Sequence, residues 1–186
     1  MTFFKVGRGN CVMRKILIAG FSGAGKSSLL GQLKSKPQTN APQRLDDLDE
    51  LILQGNKEYK SIKMLVENLG WEKFRLIERQ TFEEWLKEEE SGVLALGGGT
   101  LNPLLWNLYG NSHRIKFVHI WASFETCWSR IISSSEIRPL VQLGKNQLEQ
   151  LYHERMKILN LISCKIVNEN KEDLMNLSKR FLEKIS

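Results

Sequence analysis

Cysteine is scarce in this chain. Its three copies, Cys11, Cys127 and Cys164, stand far apart with no paired spacing, which argues against a disulfide framework and against a thiolate zinc site. A reducing cytoplasm is the expected setting. Long hydrophobic runs are missing as well: no window reaches the roughly 18 consecutive apolar residues that a spanning helix needs. The N-terminal MTFFKVGRGNCVMRK shows no small-residue cleavage pattern, so neither a membrane association nor a targeting segment is expected. Histidine is rare too. His113, His119 and His153 have neither metal-ligand spacing nor a paired nucleophile, and a structural or solvent-facing place is expected for each.

What remains is the composition of an ordinary globular chain, with 41% hydrophobic and 26% charged residues, and disorder is not expected. A length of 186 residues suits one domain with a real core. We expect that domain to span 13–186, with residues 1–12 as an extension of no assigned function. Lys and Arg outnumber Asp and Glu by 27 to 21, a formal charge of +6, which favours anionic partners. The basic residues are dispersed and no RNA-binding or zinc-finger signature accompanies them, so nucleic acid is not expected as the partner.

The apolar run Lys15–Ala19 (KILIA) leads into GFSGAGKS and then into the helical SLLGQLK, a strand, loop and helix in succession. Further short apolar runs occur at Val93–Leu96, Phe117–Trp121 and Cys164–Val167, separated by helical patterns. That alternation implies an α/β fold, a parallel sheet covered on both faces. Phe74, Ile77, Phe82 and Trp85 fall near a helical period within Trp71–Glu90, an amphipathic helix with a solvated acidic end. The segment 133–146 carries three serines, Pro139 and Gly144 and reads as a mobile loop. Lys36–Arg44 (KPQTNAPQR) offers no convincing second strand.

Gly20, Gly25, Lys26 and Ser27 fit the spacing G-x-x-x-x-G-K-[ST]. Backbone amides of such a loop cradle phosphates, its lysine reaches the outer phosphates and its hydroxyl ligates magnesium. Ser22, Gly23, Ala24, Gly25, Lys26, Ser27 and Ser28 are therefore the candidate ATP-binding residues. A glycine turn that merely joins strand to helix accounts less well for the full pattern. GTPases also carry N-K-x-D and D-x-x-G, and here Asn56-Lys57 continues into Glu58-Tyr59. The chain is too short for most motor ATPases, which leaves kinases of small molecules.

Such a kinase needs an acceptor pocket. Asp47 and Asp49 stand where a second strand would end, at the same sheet edge as the phosphate loop. Asp49 could take the proton of an acceptor hydroxyl and Asp47 could hold a magnesium-bound water; equally, the DDLDE run could simply cap the next helix. Phe74-Arg75 with Glu78 one turn later, Gly97-Gly98-Gly99 after VLAL, and Arg138-Pro139-Leu140 follow in order.

Together with GFSGAGKS and DLDELI, these motifs make the chain resemble shikimate kinase from about Lys15 to Val167. The resemblance implies a three-layer phosphate-loop NTPase fold whose five-stranded parallel sheet has the order 2-3-1-4-5, with a mobile lid near 133–146. It implies ATP-dependent phosphorylation of the 3-hydroxyl of shikimate in a cytoplasmic monomer that uses Mg2+. Lys26, Asp49 and Arg138 would be catalytic, with Asp49 the base and Arg138 the lid cation over the transferring phosphate. Asp49, Arg75, Gly97, Gly98, Gly99 and Arg155 would bind shikimate, Arg75 and Arg155 gripping its carboxylate and Glu78 orienting Arg75. Ser27 and Asp47 would serve the metal, Asp47 through water. Arg130 would lie against adenine, although a plain place on a helix surface suits it as well. Arg75 and Glu78 could likewise be a surface pair, and the glycine triplet an ordinary turn. One departure stands out: where the family often has Glu, Gly70 is followed by Trp71, with Glu72 one position later. Two rival readings are a related kinase for another hydroxy acid, such as gluconate, and a nucleotide-binding module without catalysis.

Overall fold

The computed structural model describes residues 15–35, 44–134 and 143–185. Lys15–Ala19 forms β1, buried along its whole length, as befits the centre of a sheet with both faces covered. The remaining strands are β2 (Arg44–Asp47), β3 (Gly92–Ala95), β4 (Ile115–Trp121) and β5 (Lys165–Val167). All pair in parallel, in the order β2-β3-β1-β4-β5, so the expected topology is the observed one. The chain leaves β1 for one side of the sheet and later returns to its other side, and ligands of open α/β sheets bind at that switch point beyond the strand C-termini.

Eight helices connect and cover the strands among the described residues: α1 (Lys26–Ser35), α2 (Leu48–Gly55), α3 (Ile62–Lys87), α4 (Pro103–Tyr109), α5 (Phe124–Ile132), α6 (Gly144–Leu159), α7 (Lys171–Met175) and α8 (Leu177–Ile185). The core runs through both layers, with Leu17, Leu29, Phe82, Trp85 and Phe181 fully buried. Each such side chain contributes about 1.5–3 kcal/mol by leaving water.

The structure corrects several local expectations. A helical segment not expected from the sequence precedes the one from Trp71; it starts at Ile62, capped by the Ser61 hydroxyl, which accepts from the Met64 amide at 3.2 Å. Gly70 breaks it with φ 79° and ψ 163°, so Trp71–Lys87 is a second, separately aimed segment. It ends before Glu88-Glu89-Glu90, because negative charge at a helix C-terminus opposes the helix dipole. At the expected lid, α6 already begins at Gly144; Leu148, Tyr152, Met156 and Leu159 form a buried stripe that carries the helix further back than the glycine suggests. Residues 135–142 of that lid, Arg138 included, lie outside the described residues, as do residues 1–12.

The polar RLDD of β2 is a strand because a distant side chain makes it one. Arg44 lies over the Trp85 ring, 5.7 Å from its centroid, and the Trp85 indole N–H donates to Asp46 at 2.7 Å. Arg44 also pairs with Asp46 and Glu88. As an edge strand, β2 needs only one neighbour, and it pairs with β3 from Arg44↔Gly92 to Asp47↔Ala95.

Candidate active site

The phosphate loop leaves the C-terminal end of β1 and feeds α1. Gly25 adopts φ 106°, and a Cβ there would run into the Asn168 carboxamide, so this position requires glycine on two grounds. The Lys26 side chain folds back over the loop, its ammonium donating to the carbonyls of Gly20 at 2.8 Å and Phe21 at 3.1 Å. Beside it lies a cavity of about 280 Å³ lined by Gly23, Gly25, Lys26, Ser27, Ser28 and Arg130, among others. Arg130 is fixed at this edge, donating to the Asn168 carbonyl at 2.9 Å and to that of Gly23 at 3.4 Å. Ala24 is buried within the loop and its amide donates to the Phe21 carbonyl at 3.1 Å.

A larger cavity of about 650 Å³ opens on the other side, and Lys26 and Ser27 line it too. Its walls come from five separate parts of the chain: Ser22 of the loop, Asp47 and Asp49 at the end of β2, Trp71 and Arg75 of α3, Gly97–Gly99 after β3, and Arg155 of α6. Asp47 caps a helix, one of the alternatives the sequence offers, and also reaches the phosphate loop. It caps α2 by accepting from the Asp49 amide at 3.0 Å, and it accepts from the Ser27 hydroxyl at 3.3 Å. Burial raises its pKa above the ordinary carboxylate value; the Asp49 amide, Lys26 and Ser27 oppose that rise. Ser27 and Asp47 thus offer two hard oxygen donors beside the phosphate loop, which suits a magnesium ion that draws its other ligands from phosphate and water. Among the described residues no group of three or more His, Cys, Asp or Glu forms a metal cage.

Arg75 and Arg155 converge at the far end of the cavity. A Cβ on Gly99 would stand 2.8 Å from a guanidinium nitrogen of each. Arg75 donates to Glu78 at 2.5 Å; Glu78 is only 4% exposed and also accepts from the Thr100 hydroxyl at 2.6 Å. The pair is therefore no surface decoration, since both carboxylate oxygens are committed. Arg155 has its pKa lowered to about 10, by burial first and then by the Arg75 charge. Two cationic forks facing one opening suit a carboxylate. Gly97 brings the triplet close to the acids: a Cβ there would lie 3.0 Å from Glu78 and 3.2 Å from the Asp49 carboxylate. A Cβ on Gly98 would likewise stand 2.8 Å from the Ser22 hydroxyl.

These features match a known family along nearly the whole chain. The family model for shikimate kinase covers residues 22–186. The chain belongs to the shikimate kinase family. A shikimate kinase of Lactococcus lactis subsp. cremoris is 30% identical over 171 residues, 91% of this chain and 96% of the relative. Among solved structures, the shikimate kinase of Bacteroides thetaiotaomicron superposes with a TM-score of 0.70 at 21% identity, over 91% of this chain and 96% of its own. That of Acinetobacter baumannii, in complex with shikimate, gives 0.70 at 23% identity, over 93% of each. At such identities the structural likeness establishes the fold.

Three residues of the site escape a reading of the sequence. Thr100 follows the glycine triplet directly, yet nothing in the sequence ties it to Glu78, 22 positions earlier. Phe21 occupies a variable position of the phosphate-loop pattern. Trp71 stands out in the sequence only as a departure; it lines the cavity at 46% exposure, and the Arg75 guanidinium lies 5.3 Å from its ring. Its spacing of four residues from Arg75 on a helix is the available signal.

Proposed function

We propose that this chain transfers the γ-phosphoryl group of ATP to the 3-hydroxyl of shikimate, giving shikimate 3-phosphate and ADP. The observation that carries the reading is the shared wall: a phosphate loop and a pocket with two converging arginines meet at Lys26 and Ser27. Membership of the shikimate kinase family supports the choice of acceptor.

In this reading the shikimate carboxylate binds Arg75 and Arg155, which fixes the ring so that its 3-hydroxyl faces the phosphate loop. Gly97, Gly98 and Gly99 let the backbone approach the ring. Asp49 holds the hydroxyl and accepts its proton as the oxygen bonds to phosphorus and the bond to the β-γ bridging oxygen breaks, with ADP leaving. A loose transition state asks for little early proton removal, so a carboxylate suffices. Ser22 to Ser28 hold the phosphates, Lys26 neutralises charge on them, and Arg130 borders the nucleotide base. Arg138, outside the described residues, takes the role of the cation over the transferring phosphate. Ser27, and Asp47 through water, would hold Mg2+, which supplies charge neutralisation between the outer phosphates.

The enzyme works as a monomer in the cytoplasm. Cys127 and Cys164 are free thiols, in keeping with a reducing setting, and no helix among the described residues is long and apolar enough to cross a membrane. The deciding measurement is ADP release with ATP and magnesium, comparing shikimate, quinate, gluconate and no acceptor. Stimulation by shikimate alone is expected. Stimulation by another acid alone would replace the acceptor, and ATP binding without stimulation would support a non-catalytic module.

A further inference from the structure

Arg155 rests on an unusual foundation for an arginine in a binding pocket. Its Nη1 is buried and has no hydrogen-bond partner among the described residues. What it does have is an aromatic face, since its guanidinium carbon lies 5.4 Å from the centroid of the Phe21 ring. Phe21 is the second residue of the phosphate loop and is 1% exposed. The Tyr152 ring meets Phe21 edge-on, with centroids 5.1 Å apart, and the Tyr152 hydroxyl is pinned to the Ala122 carbonyl at 2.8 Å. Tyr152 and Arg155 are one helical turn apart, so a single face of α6 presents both to Phe21. The backbone of Phe21 looks the other way, its carbonyl accepting from the Lys26 ammonium at 3.1 Å.

We propose that Phe21 is a positioning residue for the acceptor, whose ring holds the Arg155 guanidinium in place while leaving its N–H donors free for the incoming carboxylate. The inference rests on the acceptor reading given above. Its physical basis is that a ring quadrupole attracts a cation without accepting its in-plane hydrogen bonds, and does so more strongly when the cation is desolvated. A protein carboxylate in the same place would fix the arginine too, but it would compete with the substrate for the fork. Phe21 thereby ties the acceptor grip to the phosphate loop: its backbone lies beneath the nucleotide-binding lysine and its ring beneath the carboxylate-binding arginine.

The test replaces Phe21 with its 4-fluoro and 3,4,5-trifluoro analogues, which nearly keep the ring's shape and drain its face of negative charge. Phe21→Leu serves as the limit without a ring. The shikimate KM should rise stepwise with fluorination, to about threefold or more for the trifluoro ring and about tenfold for Phe21→Leu. The ATP KM at saturating acceptor and the melting temperature of the fluorinated proteins should hold. A purely structural role would move melting temperature and not follow the fluorine series. An acceptor KM insensitive to fluorination, or an ATP KM that rises in step with it, would overturn the proposal. Lack of any wild-type turnover with shikimate would instead sink the acceptor reading. The series is then read with the hydroxy acid that does stimulate turnover, because the proposal concerns its carboxylate.

Discussion

The two halves of this site share a wall and are built in opposite ways. The nucleotide side is built mainly on one local loop at the end of a buried strand, whose residues Gly23 to Ser28 are close neighbours in the chain, with Arg130 brought to its edge. The acceptor side is assembled from residues between position 22 and position 155, contributed by several different elements. A local site tolerates change elsewhere, while a distributed one depends on every neighbour that aims its side chains. Damage to the acceptor side should therefore leave ATP binding intact and deepen the closer the altered group stands to the reacting hydroxyl.

The sharpest separation is expected from Asp49→Asn, which keeps the size and polarity of the side chain and removes the carboxylate proposed above as the base. Turnover should fall by about 100-fold or more while ATP affinity, measured by calorimetry, stays near wild type. Arg75→Lys comes next. It keeps the charge and loses the planar fork, and the shikimate KM should rise about thirtyfold at unchanged ATP KM. Thr100→Val deletes only the hydroxyl that holds Glu78, and so loosens Arg75 at one remove. A shikimate KM about fivefold higher is expected, with Thr100→Ser restoring it. If any of these three raised the ATP KM as much as that of shikimate, the two sides would not be separable in the way their construction implies.

The nucleotide side has a weakness of its own, and it lies beneath the loop. His119 on β4 is fully buried and sits opposite Ala19, the last residue of β1. Burial, reinforced by the charges of Lys165 and Lys26, lowers its pKa to about 4 from 6.5. A histidine depressed in the fold binds its proton more readily when unfolded, so stability is whole above about pH 6.5 and drains as the pH falls toward 4. The loss at pH 5 should be about 2 kcal/mol, read as the difference in urea midpoints between pH 7 and pH 5. A His119→Gln variant should flatten that difference. An equal drop in the variant would assign the acid sensitivity to carboxylates instead.

The same contrast explains which parts of the molecule are legible in the sequence. Everything local can be read there: the strand, loop and helix around Lys26, the order of apolar runs, and the motifs at Arg75 and Gly97. The fold follows from that alternation together with the family resemblance. The rest is carried by pairings between remote positions. RLDD looks unlike a strand until Trp85, 39 residues from Asp46, covers Arg44 and binds Asp46. Thr100 and Phe21 look like filler beside their motifs because their partners, Glu78 and Arg155, are distant in the chain. The start at Gly144 is hidden because glycine reads as punctuation, whereas here it opens a helix; Gly70 does punctuate, with non-helical φ and ψ between the segments 62–69 and 71–87.

The wall formed by Lys26 and Ser27 also bears on how this site could be blocked. Because the same two residues line both cavities, a molecule carrying a phosphate mimic at one end and a carboxylate at the other needs almost no tether between them. Once one end is seated, the other is delivered at high effective concentration, a gain of about 10²–10⁴ over either fragment alone. The partition that keeps two substrates in register for transfer is, for such a bridging compound, a single continuous binding surface.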